Sequence, residues 1–474
     1  MTAIRLTRSD LIDATILLLI ILVAMSIRIN KLDGYASTDD GIYIASCWLI
    51  KQGYRPYQDF TLVQPPLYFW LVIFTWQALN LQGPSAMWAA AKSISLFSFF
   101  ATTILIYLTC RNRLGNRYVG LIGSILYQLS YSNYVFSVST SPQLLTTFLL
   151  TFSIYLSTQE KPEPRRTFAA GVALGLAVIT RFSALYLVPV YLIFHAIRIR
   201  EGKSTLRTML IATAGLMMPL PALLSIPFDS LRNDLIIYHL TKSPATVSIG
   251  VKLASLASDL LTKEVTDLLG LIATIFILHK RDFKRGLIAA SAFALLGPYL
   301  LQPTTTSQHL IEATPFFSMT VAGALASLPI SRERRDRRKL ISLTICLLLV
   351  LGYFFPRPII EIAGARESHP ESRVMRKLAQ DVQYYSRDDE LVFSQLTVVP
   401  FLAQRRCPPI ADIDWVNKQL GLFTADTVKQ LIILYPLKVV IISNRIEAEM
   451  RDFLGEHGYI RVDRIRDYRI YVKT

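Results

Sequence analysis

Twelve apolar runs, each bounded by charged or turn-forming residues, occupy most of the first 355 residues of this 474-residue chain. Runs of this kind are typical of membrane-spanning helices, which need about 20 apolar residues to cross a hydrocarbon core of roughly 30 Å. Charged residues make up only 18% of the chain, whereas soluble domains have roughly 25%. The sequence therefore predicts a polytopic membrane protein. The runs lie at 11–29, 65–80, 86–109, 117–132, 142–158, 167–181, 183–198, 206–228, 263–279, 286–301, 311–328 and 339–355.

The run at 65–80 decides the topology. It begins with two prolines and contains Trp70 and Trp76, and tryptophan favours the membrane–water interface. As a helix it would be roughly 24 Å long, which is short for a span. If it lies flat, every basic connector falls on the N-terminal side, and the loops 133–141 and 302–310, which contain no Lys or Arg, fall on the other. The positive-inside rule then predicts eleven spans, a cytoplasmic N-terminus and a C-terminus outside.

Two domains are predicted on this basis. Residues 1–356 form an all-α membrane domain with about eleven transmembrane helices and interfacial helices in the first external loop. Residues 357–474 carry 18 Lys/Arg against 16 Asp/Glu, which is close to balance in a chain of net charge +16. They form a small extracytoplasmic α/β domain, because short strand-like runs alternate there with helical patterns. The strand-like runs are 390–395, 438–443 and 468–473, and the helical stretches are 367–385, 424–434 and 446–456.

Two adjacent carboxylates, Asp39 and Asp40, stand at the start of an amphipathic stretch just after the first span. One interpretation is helix capping, because an aspartate there accepts backbone N–H bonds and favours the positive end of the helix. The other is a general base at the water–lipid boundary, where burial raises and nearby cations lower the pKa of a carboxylate. The two interpretations are compatible, with one carboxylate for each role.

The segment DDGIYIASCWLIKQGYRPYQDF, followed by QPPLYFW, resembles the first external loop of GT-C fold glycosyltransferases. The bacterial branch related to protein O-mannosyltransferases and lipid A aminoarabinose transferases is the most similar. AAGVALGLAVITRFSALYLVPV (169–190) and SQHLIEATPFF (307–317) are similar to later motifs of that family. The resemblance covers most of residues 10–330 and extends to the tail only through its placement.

This resemblance implies an enzyme of the plasma (inner) membrane that takes a sugar from a polyprenyl-phosphate donor on the outer face. The first carboxylate of the acidic pair, Asp39, would accept the proton of an acceptor hydroxyl that attacks and inverts the anomeric carbon. For the other candidates the alternative is a structural role, such as capping, interfacial anchoring or contact with lipid headgroups. The candidate substrate-binding residues are Asp40, Tyr43, Lys51, Arg55, Asp59, Gln64, Arg181 and His309.

No cofactor is predicted. Many relatives carry an acidic residue after a proline in the second external loop, but Gln143 stands there. A divalent metal is therefore possible but not indicated. The four cysteines are too scattered for a metal site or a disulfide framework, and only a pairing of Cys47 with Cys407 is left open. The tripeptide Asp412-x-Asp414 has a metal–diphosphate spacing, but the predicted topology places it away from nucleotide sugars.

Two other classes of function remain open from the sequence. One is a transporter or flippase of a lipid-linked glycan, although such proteins favour internal repeats, which the chain lacks at the level of its sequence. The other is a non-catalytic glycan-binding membrane protein. The predicted partners are the bilayer, the lipid-linked donor and a lipid, protein or polysaccharide acceptor. No nucleic acid is expected, because the basic residues do not cluster with aromatics on one soluble face.

Overall fold

The structure, a computed structural model, describes residues 8–29, 32, 38–114, 117–158, 163–238, 248–279, 283–301, 307–327, 370–410 and 423–474. Helices dominate the described part up to residue 327, as the apolar runs predict. They are α1 (Arg8–Arg28), α2 (Thr38–Lys51), α3 (Leu67–Ala78), α4 (Pro84–Thr109), α5 (Arg117–Gln128), α6 (Tyr131–Phe136), α7 (Pro142–Ser157), α8 (Pro164–Val178), α9 (Leu187–Arg200), α10 (Leu206–Met217), α11 (Phe228–Arg232), α12 (Ile249–Thr262), α13 (Val265–His279), α14 (Phe283–Ala294), α15 (Gly297–Leu301) and α16 (Thr314–Ser327).

Among the described helices, four are long and apolar enough to cross a membrane. They are Asp10–Arg28, Pro84–Leu114, Phe182–Arg200 and Leu206–Ser225. Shorter apolar helices occupy Leu67–Ala78, Val265–Ile277, Arg285–Ala294 and Thr314–Ala326. The predicted number of eleven spans stays a prediction, because the last run, 339–355, lies outside the described residues.

Helix α3 is short, as expected for the run at 65–80. Its twelve residues give a length of roughly 18 Å at 1.5 Å per residue. The Leu67 N–H donates to the carbonyl of Ile179 (3.2 Å), and the Trp76 indole donates to the carbonyl of Met87 (2.7 Å). These bonds tie α3 to the end of α8 and the start of α4. Its predicted place at the membrane interface stays a prediction.

Helices α8 and α10 approach so closely that glycine is required at their contact. A Cβ atom on Gly171 would lie 2.2 Å from the carbonyl oxygen of Ala212, and one on Gly215 would lie 2.3 Å from the carbonyl oxygen of Phe168. Small residues at such crossings let helix backbones approach closely, and they are enriched where helices pack together in a bilayer. Gly171, which lies in the segment 169–190 that resembles a family motif, thus has a packing function.

Replacing Gly171 with alanine is expected to destabilise the protein by about 1–3 kcal/mol, since the added methyl group must push two backbones apart. Gly286→Ala in α14 is the matched control, because a Cβ there meets nothing within 4 Å. Thermal unfolding in detergent should show a lowered midpoint for Gly171→Ala alone. Equal midpoints for the two variants would contradict the close approach.

The C-terminal part is an α/β unit, as predicted. A four-stranded sheet has the order β1-β2-β4-β3, with β1 and β2 parallel and the other neighbours antiparallel. The predicted boundary between residues 356 and 357 lies outside the described residues. The elements are α17 (Pro370–Tyr385), β1 (Leu391–Ser394), α18 (Val398–Ala403), α19 (Ala425–Leu434), β2 (Leu437–Ser443), α20 (Asn444–Glu456), β3 (Tyr459–Ile465) and β4 (Tyr468–Lys473).

Candidate functional site

The second carboxylate of the acidic pair is fully buried and engaged by protein groups. Asp40 Oδ1 accepts hydrogen bonds from the Trp88 indole N–H (3.0 Å) and the Thr140 backbone N–H (2.8 Å). Asp40 Oδ2 lies 3.1 Å from Lys92 Nζ, and both side chains are completely inaccessible to solvent. Asp40 therefore joins the start of α2 to α4 and to the segment before α7. Its role as a substrate ligand stays a prediction.

The first carboxylate has a different environment. Asp39 lies in the first turn of α2 beside Asp40, but it is partly exposed, whereas Asp40 is buried. Successive side chains of a helix point about 100° apart, so the two carboxylates leave the turn in different directions. The burial of Asp40 fixes the backbone that carries Asp39. Which of the two carboxylates has a structural and which a reactive role stays a prediction.

The groups that hold Asp40 were not predicted from the sequence. Lys92 and Trp88 lie on α4 and Thr140 lies before α7, far from Asp40 along the chain. One signal was present, because Lys92 is an ionisable residue inside the apolar run 86–109. Such residues pair with one another or mark functional sites.

Tyr43 and Gln64 contribute to the packing of the first loop. The Tyr43 ring is buried and packs edge-on against Phe69, with centroids 5.9 Å apart. Gln64 is buried, and its backbone carbonyl accepts a hydrogen bond of 2.6 Å from the Tyr57 hydroxyl. Burial raises the pKa of Tyr57 well above its ordinary value, so this hydroxyl keeps its proton and remains a donor. The segment before α3 is thereby ordered.

The charged candidates of the first loop lie at its surface. Arg55 pairs with Asp59, whose carboxylate also accepts the Arg55 backbone N–H at 2.7 Å. That backbone bond, followed by the one from the guanidinium, lowers the pKa of Asp59. Lys51 is exposed at the end of α2, with its ammonium 5.7 Å from the centre of the Trp48 ring and 3.6 Å from Met87 Sδ. Lys51 and Arg55 therefore retain accessible cationic groups.

Arg181 is buried in an ion pair with a carboxylate that sequence reasoning missed. Its guanidinium lies 2.6 Å from Glu312 Oε1, which also accepts a bond of 2.8 Å from the Ser183 hydroxyl. Glu312 Oε2 is buried and has no hydrogen-bond partner within the described ranges. Glu312 lies within the motif SQHLIEATPFF and in the apolar run 311–328, where a lone carboxylate is a signal for pairing or function.

His309 lies three residues before Glu312 and is brought close to α6. It is buried in the 3₁₀ segment Ser307–Leu310, which packs against α6. The chain then runs from α6 to Thr140, whose N–H binds Asp40. The segment from His309 to Glu312 thus contains both His309 and the ion-pair partner of Arg181. It is connected to the acidic pair through α6 and Thr140.

Breaking the Arg181–Glu312 pair is expected to lower stability. Arg181→Gln and Glu312→Gln should each cost about 1.5–3 kcal/mol, because each leaves a buried charged group without its strongest bond. The double variant should lose less than the sum of the two. Arg232→Gln is the control, since the pair of Arg232 with Asp229 is exposed and 3.8 Å long. Thermal unfolding of these four variants and of the wild-type protein measures the losses, and strictly additive losses would refute the pairing.

Gln143 lies in the first turn of α7, three residues after Thr140. Its side-chain oxygen is buried without a hydrogen-bond partner in the described part of the chain, as are both side-chain polar atoms of Asn133 on α6. Glu264, which precedes α13, accepts bonds from the Ser130 hydroxyl (2.9 Å) and the Ser132 N–H (2.7 Å). The segment next to the acidic pair is thus rich in buried polar groups.

The cysteine pairing left open by the sequence is not formed. Cys47 and Cys407 are buried free thiols, and burial raises the pKa of Cys407 to about 12. Among the residues whose placement is described, no group of three or more His, Cys, Asp or Glu side chains is arranged to hold a metal. Asp412 and Asp414 lie outside those residues.

Comparisons with known proteins bear on this arrangement. Residues 63–224 match the family described as dolichyl-phosphate-mannose-protein mannosyltransferase. ArnT from Cupriavidus metallidurans in the apo state matches with a TM-score of 0.69 and 11% identity, over 97% of this chain and 98% of that one. The structure of the same protein bound to undecaprenyl phosphate matches with a TM-score of 0.69 and 12% identity, over 97% of this chain and 98% of that one.

A more distant solved structure belongs to the archaeal oligosaccharyltransferase AglB from Archaeoglobus fulgidus, in complex with an inhibitory peptide and a dolichol-phosphate. It matches with a TM-score of 0.59 and 12% identity, over 94% of this chain and 70% of that one. No curated protein sequence matches the chain. At these identities the likenesses show the fold, which is that of GT-C glycosyltransferases, and the resemblance read from the sequence is confirmed.

Proposed function

We propose that this chain, a polytopic membrane protein with the GT-C fold, transfers a sugar from a polyprenyl-phosphate donor to an acceptor hydroxyl on the outer face of the membrane. Two observations support the donor class. The matched family is described by its use of dolichyl-phosphate-mannose, and similar solved structures hold undecaprenyl phosphate or a dolichol-phosphate. Such a donor keeps its tail in the bilayer, so its phosphate emerges at the interface.

The observation that carries the proposal is the difference in environment between the two carboxylates of the acidic pair. Asp40 is buried and bound by three protein groups, whereas the adjacent Asp39 is partly exposed on the same fixed turn. A positioned carboxylate that a substrate can reach is what general-base catalysis requires. Asp39 is therefore proposed as the base.

The reaction then proceeds as an inverting displacement. Asp39 accepts the proton of the acceptor hydroxyl while its oxygen forms a bond to the anomeric carbon. The bond between that carbon and the phosphate oxygen breaks, and the polyprenyl phosphate leaves with the electron pair. Cationic or hydrogen-bond-donating groups stabilise the charge that develops on a leaving phosphate. Lys51 and Arg55 are the accessible candidates, and Arg181 and His309 are the buried ones.

Purified protein in lipid nanodiscs with a radiolabelled polyprenyl-phosphate sugar tests this function. Incubation with membrane extract as a source of acceptors should release free polyprenyl phosphate and move the label to a new product. Mass spectrometry of surface glycans and carrier lipids, with and without the protein in cells, then identifies the sugar. A transporter or a glycan-binding protein would leave the donor intact, and that result would refute the proposal.

A further inference from the structure

The C-terminal unit inserts one aromatic side chain into the membrane part. Phe401, on α18, is completely buried. Its ring lies edge-on to Trp48 and Trp88, with centroids 5.9 Å away in each case, and is stacked on Trp76 at 6.2 Å. We call Trp48, Trp76 and Trp88 the tryptophan cage. Aromatic contacts of this geometry stabilise beyond the area that they bury.

The turn after α18 fixes the same contact by hydrogen bonds to α2. The Trp48 indole donates to the carbonyl of Arg405 (2.9 Å), and the Cys407 N–H donates to the side-chain oxygen of Gln52 (3.2 Å). Arg405 is held within the C-terminal unit in turn, because its guanidinium donates to the hydroxyl (3.1 Å) and the carbonyl (2.9 Å) of Ser386. The contact is therefore both apolar and polar, and it is anchored on both sides.

One cage residue also reaches the acidic pair. Trp88 contacts Phe401 with its ring and donates its indole N–H to Asp40 Oδ1 (3.0 Å) and to the Thr140 hydroxyl (3.1 Å). Lys92, the ion-pair partner of Asp40, has its ammonium 5.1 Å from the centre of the Trp88 ring. A shift of the Trp88 ring would therefore disturb the contacts of Asp40 with the Trp88 indole and with the Lys92 ammonium.

We infer that Phe401 is a positioning residue for the proposed reaction: it sets the Trp88 ring, which through Asp40 fixes the turn that carries Asp39. This inference rests on the proposed function for its effect on turnover. Its structural part, the coupling of Phe401 to Trp88, stands without it. The C-terminal unit then completes the catalytic site, in addition to any contact that it makes with an acceptor.

A double-variant cycle tests the structural part. Phe401→Leu, Trp88→Phe and the double variant are compared by thermal unfolding in detergent. Phe393→Leu is the matched control, because Phe393 is equally a buried phenylalanine of the C-terminal unit but stacks on Phe423, away from the cage. We expect the shifts of the unfolding midpoint to be non-additive when Phe401→Leu is combined with Trp88→Phe. They should be additive when Phe393→Leu is combined with Trp88→Phe. Additive shifts for both pairs would overturn the inference.

Turnover tests the functional part. Phe401→Leu is expected to lower the turnover number about tenfold to a hundredfold, as small displacements of a catalytic group do, while the KM for the donor changes less than twofold. Phe393→Leu should retain the wild-type turnover number. If Phe401→Leu does not fold, Phe401→Met, which fills similar space without a ring, serves in its place. Normal turnover in the folded variant would overturn the inference, whereas absence of transfer by the wild-type protein would refute the proposed function alone.

Discussion

Replacing Asp39 with asparagine is expected to lower sugar transfer about a hundredfold to ten-thousandfold, the range that a lost general base accounts for. Asparagine keeps the shape of the side chain but cannot accept the proton of the acceptor hydroxyl. Because Asp39 is partly exposed, the variant should fold and insert as the wild-type protein does. The measurement is donor-dependent release of polyprenyl phosphate by both proteins at equal amounts in nanodiscs.

The control for this variant is Asp229→Asn. Asp229 lies on α11, and its side chain is 84% exposed, so its charge has little effect on packing. This variant should transfer sugar at the wild-type rate. If Asp39→Asn also turned over normally, the proposed base would be wrong.

Replacing Lys92 with methionine is expected to destabilise the protein by about 3–5 kcal/mol, the usual effect of removing one partner of a buried ion pair. The reason is the charge left behind. Lys92 and Asp40 are both completely inaccessible to solvent, and the variant would leave the buried carboxylate of Asp40 without the ammonium that lies 3.1 Å away. The loss should appear as a lower midpoint of thermal or urea unfolding in detergent.

Two further variants make this prediction specific. Lys92→Met combined with Asp40→Asn removes both charges and should recover a large part of the stability, because the buried carboxylate charge is then removed as well. Lys203→Met breaks a shorter but more exposed pair, with Glu201 at 2.7 Å, and should cost less than about 1 kcal/mol. A loss no larger for Lys92 than for Lys203 would show that Asp40 does not depend on this partner.

Much of the fold follows from local patterns in the sequence. The apolar runs predict most of the helices up to residue 327, and the short run with two leading prolines predicts the short helix α3. The acidic pair was placed at a helix start, where the structure has it. In the C-terminal unit, the short strand-like runs at 390–395, 438–443 and 468–473 predict β1, β2 and β4.

The features that the sequence does not predict share one physical cause: they depend on contacts between residues that are far apart in the chain. Strand β3 was not predicted, because Arg461, Asp463 and Arg464 interrupt its apolar pattern. It forms nevertheless, as an edge strand that pairs with β4 alone in the described sheet. At the site, Thr140 and Glu312 were missed because their contacts with Asp40 and Arg181 join residues at least 100 positions apart. No local pattern contains such information.

The most direct test of the account is the side of the membrane on which the acidic pair lies, because the proposed donor is presented outside. A cysteine-free protein would carry a single cysteine at Gln58, an exposed position of the first loop, or at Lys203, an exposed position between α9 and α10. A membrane-impermeant maleimide applied to intact cells should label position 58 at once and position 203 only after permeabilisation. Labelling of 203 alone in intact cells would place Asp39 on the cytoplasmic side and contradict the proposed reaction.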